Sequence, residues 1–177
     1  DATAESKRLV FKGGKTQVTY AGNIAKITDG GELILKDGVF CNGSIESSYS
    51  GAVLVDKNSR FEMTGGVIKN FTLKRSVLTG TVVVASGGDF RMSGGSIEEN
   101  TSTSWRSGGG VLLYAWNTHD ADATMIMSGD AVIRSNTSSY DGGGVYLIGN
   151  TDFKMTGGTI TNNEANGGHG GGVCVAG

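Results

Sequence analysis

Apolar and polar residues alternate along this chain in runs too short for helices, and the runs return at a long, nearly fixed interval. "RFEMTGGVIKN" from Arg60 comes back as "DFRMSGGSIEEN" from Asp89 and "DFKMTGGTITNN" from Asp152. Degenerate copies begin at Glu32 ("ELILKDGVFCN") and Thr124 ("TMIMSGDAVIRSN"). Aligned, the first apolar column is Leu33, Phe61, Phe90, Met125 and Phe153, at spacings of 28, 29, 35 and 28 residues. Two residues on stand Leu35, Met63, Met92, Met127 and Met155. A second element follows each copy: "SGAVLV", "TGTVVV", "GGGVLL", "GGGVYL" and "GGGVCV". Its inward candidates are Val53, Val82, Val111, Val145 and Val173, then Val55, Val84, Leu113, Leu147 and Val175.

Each repeat therefore predicts a period-2 strand (F-x-M), a glycine corner, a second short strand, a polar loop and a third strand (V-x-V). No window carries helical apolar spacing for two turns, and glycine interrupts any that begins. A propeller blade needs about 40 residues, more than this period supplies. The expected fold is all-β: a right-handed parallel β-helix (β-solenoid) of about five coils of roughly 28 residues over 31–177. Residues 1–30 do not match the repeat. Their alternating "LVFKGGKTQVTYAGNIAKI" predicts an N-terminal capping segment, because an open coil end is an unprotected sheet edge. At the other end "GGGVCVAG" stops in mid-repeat, which predicts further coils or a covering chain.

Stacked coils place like residues on like at about 4.8 Å, so the Phe/Met and Val columns become continuous ladders inside the solenoid. Glycine pairs such as Gly65–Gly66, Gly94–Gly95 and Gly157–Gly158 mark sharp corners, with Asp37 and Asp130 expected to take the left-handed conformation in two copies. Asn42, Asn100, Asn136 and Asn163 follow the second strand and predict a stacked amide ladder.

Composition narrows the function classes. Glycine supplies 31 of 177 residues with no proline, which excludes collagen, and 37% hydrophobic content is too much for a disordered tail. A net charge of −2 with interspersed signs gives no footprint for nucleic acid or for an anionic membrane surface. No apolar run approaches the roughly 18 residues that would insert in a membrane. No signal peptide is visible, and "DATAESKR" reads as a start left after removal of a signal or after excision.

The units "F-x-M-x-G-G-x-I-x-x-N" and "G-G-G-V-x-V" resemble repeats of large secreted bacterial surface proteins with right-handed β-helix domains. They are more distantly similar to the repeats of chlamydial polymorphic membrane proteins. The resemblance spans roughly residues 31–177 and is weakest in the first coil. It implies extracellular presentation at a cell surface, where such helices serve as adhesin stalks, glycan binders and occasionally enzymes.

Catalysis finds little support. "NGGHGGGV" at Asn166 is followed by a strand and carries no Lys, unlike a phosphate loop. β-Helix polygalacturonases carry "NTD", a paired "DD" and "GHG"; this chain has Asn150-Thr151-Asp152 and Gly168-His169-Gly170 but no aspartate pair between them. The repeat itself explains both matches. A lyase would want a carboxylate cluster with a base, and the nearest approach is His119, Asp120 and Asp122 in one insertion. Cys41 and Cys174 form no metal-ligand pattern, and about four coils, roughly 20 Å, separate them, so free thiols are expected. No catalytic residue, metal or cofactor is assigned. A polysaccharide hydrolase or lyase using His119/Asp120/Asp122 or Asp152/His169 stays as the alternative, with a filament subunit as another.

Two features exceed what the repeat needs. The 35-residue unit carries Trp105, Arg106, Tyr114, Trp116 and His119, and neighbouring loops bring Tyr49 and Tyr140 toward the same edge. Exposed aromatics beside polar groups suit a sugar ring or a protein anchor. The outward residues of the V-x-V strands, Leu54, Val83, Leu112, Tyr146 and Cys174, form a flat apolar stripe. Such a stripe is expected to need a cover: the N-terminal segment, another domain or a neighbouring subunit. The function expected is a non-catalytic structural or adhesive module. Its partner would be a glycan, a surface protein or its own copies.

Overall fold

The structure is a computed structural model that describes residues 9–12, 15–17, 23–46, 48–74, 77–116 and 121–177, the first two stretches by their backbone path. Every regular element among them is a strand. The strands stack as a parallel β-solenoid of about five turns, about 29 residues apart.

The F-x-M sheet is built from Glu32–Leu35, Arg60–Lys69, Asp89–Glu98, Ala123–Met127 and Thr151–Met155. Its register is the one the columns predict: Leu33 on Phe61, Phe61 on Phe90, Phe90 on Met125, Met125 on Phe153. Phe61 and Phe90 stack with ring centroids 5.1 Å apart and planes within 7°. The V-x-V sheet runs through Val53–Val55, Val82–Val84, Val111–Ala115, Val145–Gly149 and Val173–Ala176 in the predicted register, and Ala25–Thr28, expected within the N-terminal segment, joins it in parallel with Ala25 on Val53. The inward residues of both sheets form one core, from Ala25 and Leu33 to Met127 and Leu147. Its parallel ladder starts at Ala25–Thr28. Lys15–Gln17 and Leu9–Lys12 close the two sheets at that end as antiparallel strands. An antiparallel strand pairs with the edge without extending the coil.

A third sheet occupies the stretch expected to be a polar loop. Ser44–Ile45, Thr72–Leu73, Thr101–Ser102, Thr137–Ser138 and Glu164–Ala165 pair in parallel. Two residues per coil leave no period to read. The inward column changes character along the axis, from Ile45 and Leu73 to Ser102 and Ser138. Those serines are satisfied internally: Ser102 Oγ bonds Ser107 Oγ at 2.6 Å, and Ser138 Oγ donates to the Ser107 carbonyl at 3.1 Å.

The amide ladder exists but is shifted from the expected set. Asn100 Nδ2 donates to Asn136 Oδ1 at 2.8 Å, and Asn136 Nδ2 to Asn163 Oδ1 at 3.0 Å. Each also donates to a carbonyl one coil earlier, at Ile68, Ile97 and Ile133. Asn42 is not a rung. It is exposed and sits one column earlier, with φ 61°, beside Asn70, Glu99, Ser135 and Asn162 at φ 53–58°. Asparagine suits both columns, once as a buried bridging amide and once as a residue tolerant of the left-handed region. In the first two coils the rung position holds Gly43 and Phe71. A Cβ on Gly43 would run into the Phe71 ring.

The corners also correct an expectation. Asp37 and Asp130 do not adopt positive φ; in their coils the turn falls on the adjacent glycines, Gly38 (107°) and Gly129 (57°). Glycine takes those angles at less cost than aspartate.

Candidate functional site

Val111–Ala115 keeps strict alternation: Val111, Leu113 and Ala115 enter the interior core, and Leu112 and Tyr114 point to the opposite face. That outer face is not open. Leu54 is 8% exposed, Tyr146 4%, and Val83 and Leu112 are fully buried. With Leu78 and Ile148 they make a second core, against which Tyr114, Cys174 and Ala176 pack. The expectation that the N-terminal segment, another domain or a neighbouring subunit must cover this stripe is therefore corrected: the chain's own repeat loops cover it.

The cover is the loop that precedes each V-x-V strand. It reverses at Tyr49, Leu78 and Arg106, whose φ values are 56°, 58° and 53°, and at Gly142 and Gly170. The chain then lies back across the sheet. A Cβ on Gly80 would come 2.9 Å from Leu112 Cβ, and one on Gly142 2.5 Å from Tyr146 Cβ. Contact this close admits only glycine. Leu78 inserts where the sheet would otherwise be bare. Its signal in the sequence is the apolar pair Val77-Leu78 in an otherwise polar approach to the glycine.

The aromatic residues stand at the rim of this cover. Trp105 is 56% exposed, Trp116 48% and Tyr49 52%. Arg106 holds the two tryptophans together, its Cζ 4.9 Å from the Trp105 ring centroid and 5.7 Å from that of Trp116. Tyr49 and Tyr114 meet at 6.0 Å with a 57° tilt. The backbone joins successive coils here: the Tyr49 N–H donates to the Val77 carbonyl at 3.1 Å, and Val77 bridges Trp105 in parallel. Tyr114 is half-buried, and burial first, then Asp56 and Tyr49, raises its phenol above the usual range. Tyr146 is raised by burial, then by Asp141 and Cys174, while Arg106 draws it down. Both stay neutral donors at physiological pH.

Of the expected group, the structure brings together Trp105, Arg106 and Trp116, and separately Tyr49 and Tyr114. Tyr140 is exposed and makes no ring contact with them among the described residues; its N–H donates to Ser138 Oγ at 3.2 Å. His119 and Asp120 lie outside the described residues. Asp122 is exposed.

His169 is almost wholly exposed. Its N–H donates to Asp141 Oδ1 at 2.8 Å, and its Nδ1 lies 3.3 Å from the same oxygen. Asp152 belongs to the F-x-M sheet, paired with Thr124, and among the described residues no hydrogen bond or ion pair joins it to His169, whose partner is Asp141. Cys41 is exposed and Cys174 half-buried, both free. Burial, then Asp141, pushes the Cys174 thiol up. Iodoacetamide at pH 7.5 is therefore expected to alkylate Cys41 at least tenfold faster than Cys174, read by peptide mass spectrometry. Equal rates would show that Cys174 is not shielded.

Between the F-x-M and V-x-V sheets a cleft of about 380 Å³ is lined by Gly30, Glu32, Asn58, Arg60 and Asp89, among others. Arg60 there is matched by Asp89 at 2.8 Å and Glu32 at 3.8 Å, so its charge is answered within the fold. No protein-family model matches this chain, and no curated protein and no solved structure matches it.

Proposed function

We propose that this chain is a non-catalytic β-helix module of a secreted bacterial surface protein, binding a glycan or protein partner through the Trp105–Arg106–Trp116 edge with Tyr49 alongside. One observation carries the proposal: both tryptophans keep about half their surface in water on a solenoid whose two cores are already closed without them. Half-exposed indoles give a fold little and give a ligand a rigid apolar contact with few rotamers to freeze. The resemblance of the repeats to those of bacterial surface proteins supports the location.

Trp105→Ala and Trp116→Ala are each expected to weaken binding on an array of glycans and surface proteins by at least about tenfold. Both variants should retain the wild-type urea midpoint. Binding untouched by both substitutions would defeat the edge as the binding site.

A further inference from the structure

The edge contains a cation, Arg106, that makes no ion pair among the described residues. Among the described residues Arg60 and Arg91 both donate to Asp89, at 2.8 and 3.0 Å, and Arg134 donates to Glu98 at 2.9 Å. Arg106 has no carboxylate partner among the described residues. It is exposed, and two indoles fix its place.

We infer that this edge recognises a carboxylate-bearing sugar, an acidic glycan, with Arg106 taking the carboxylate and an exposed indole taking the ring. This rests on the binding role proposed above. A guanidinium is planar, and its N–H donors point outward in that plane. Stacking against indoles therefore steadies the group without consuming its donors. A carboxylate accepts two of them in parallel, a geometry a neutral hydroxymethyl group cannot match. The pyranose C–H face is apolar and its edge polar, which suits an indole standing half in water. Trp105 and Trp116 each stand about half in water, whereas a protein anchor is seated in a desolvated apolar surround.

The test uses immobilised glycan pairs that differ only at C6, carboxylate against hydroxymethyl: glucuronate and glucose, galacturonate and galactose, mannuronate and mannose. Sialylated and desialylated glycans and a set of surface proteins are added. The acidic member of at least one pair is expected to bind about tenfold or more tightly than its neutral counterpart. Arg106→Gln should erase that preference while leaving the urea midpoint unchanged. Equal binding of both members, or a preference that survives Arg106→Gln, overturns the acidic-sugar assignment and leaves glycan binding standing. Binding confined to proteins and lost in Trp105→Ala overturns the assignment but not the edge. Binding of any kind indifferent to Trp105→Ala and Trp116→Ala overturns both.

Discussion

Asn136→Ala is expected to cost about 3–5 kcal/mol of stability, because one buried side chain serves four groups at once. Asn136 is fully buried. Its Oδ1 accepts from the Asn100 N–H at 3.2 Å and from Asn100 Nδ2 at 2.8 Å. Its Nδ2 donates to the Ile97 carbonyl at 2.9 Å and to Asn163 Oδ1 at 3.0 Å. Alanine strands the Asn100 N–H and one Asn100 Nδ2 hydrogen on one side and the Ile97 carbonyl on the other, while Asn163 Oδ1 keeps the backbone N–H of residue 136. Each unsatisfied group costs about 1–3 kcal/mol, and partial relaxation keeps the total below the sum. Asn42→Ala is the control. Asn42 lies outside the ladder and is exposed; its Nδ2 donates to Cys41 Sγ at 3.4 Å, a weak bond, so mainly the left-handed backbone sets the effect of the change, about 1 kcal/mol. Urea midpoints followed by tryptophan fluorescence separate the cases, since Trp105 lies in the ladder's own coils. Equal midpoints for the two variants would show that the ladder does not hold the coils together. The double substitution of Asn100 and Asn136 should cost less than the two single ones added, because they share one rung.

The ladder also shows where sequence patterning succeeds and where it stops. The Phe/Met and Val columns were readable because a stacked coil repeats the same side chain at the same place, and period 2 assigns its face. Asn42 misled because two neighbouring columns both welcome asparagine for unrelated reasons. Asp37 and Asp130 misled because a corner can move its positive φ by one residue onto a glycine without moving the strands. The short Thr/Ser sheet offered no period at all. Hardest to read was the cover over the V-x-V sheet. A strand's outward apolar residues are visible in sequence, but whether a loop reverses over them depends on its path in space. That path joins two features that looked independent. The aromatic loops and the apolar stripe are one construction, a rim and the surface it closes, and of the two the rim's outer half faces water.

Gly143→Ala is expected to be severely destabilising, costing more than about 3 kcal/mol. Of the three residues before each V-x-V strand, only the middle one is glycine in all five coils: Gly51, Gly80, Gly109, Gly143 and Gly171. The flanking positions admit Ser50, Ala52, Thr79 and Thr81 in the first two coils. Backbone strain is not the cause at Gly143, whose φ is not positive. The cause is stacking. A Cβ there would sit 2.5 Å from the carbonyl oxygens of both Glu164 and Gly171, and backbone cannot swing aside as a side chain can. Relief requires the fourth coil to lift from the fifth. That lift breaks the N–H bonds of Gly143 to Gly170 (3.2 Å), Gly144 to Gly171 (2.9 Å) and Val145 to Gly172 (2.9 Å). Gly172→Ala adds the same methyl where nothing but Ile160 Cγ2 comes within 4 Å, at 3.8 Å, and should stay within about 0.5 kcal/mol of wild type. If Gly143→Ala unfolds no more easily than Gly172→Ala, the close approach of coils is not what selects the middle glycine. If it unfolds far more easily, that glycine column is what lets successive coils stack closely enough for the loops above them to close the outer core.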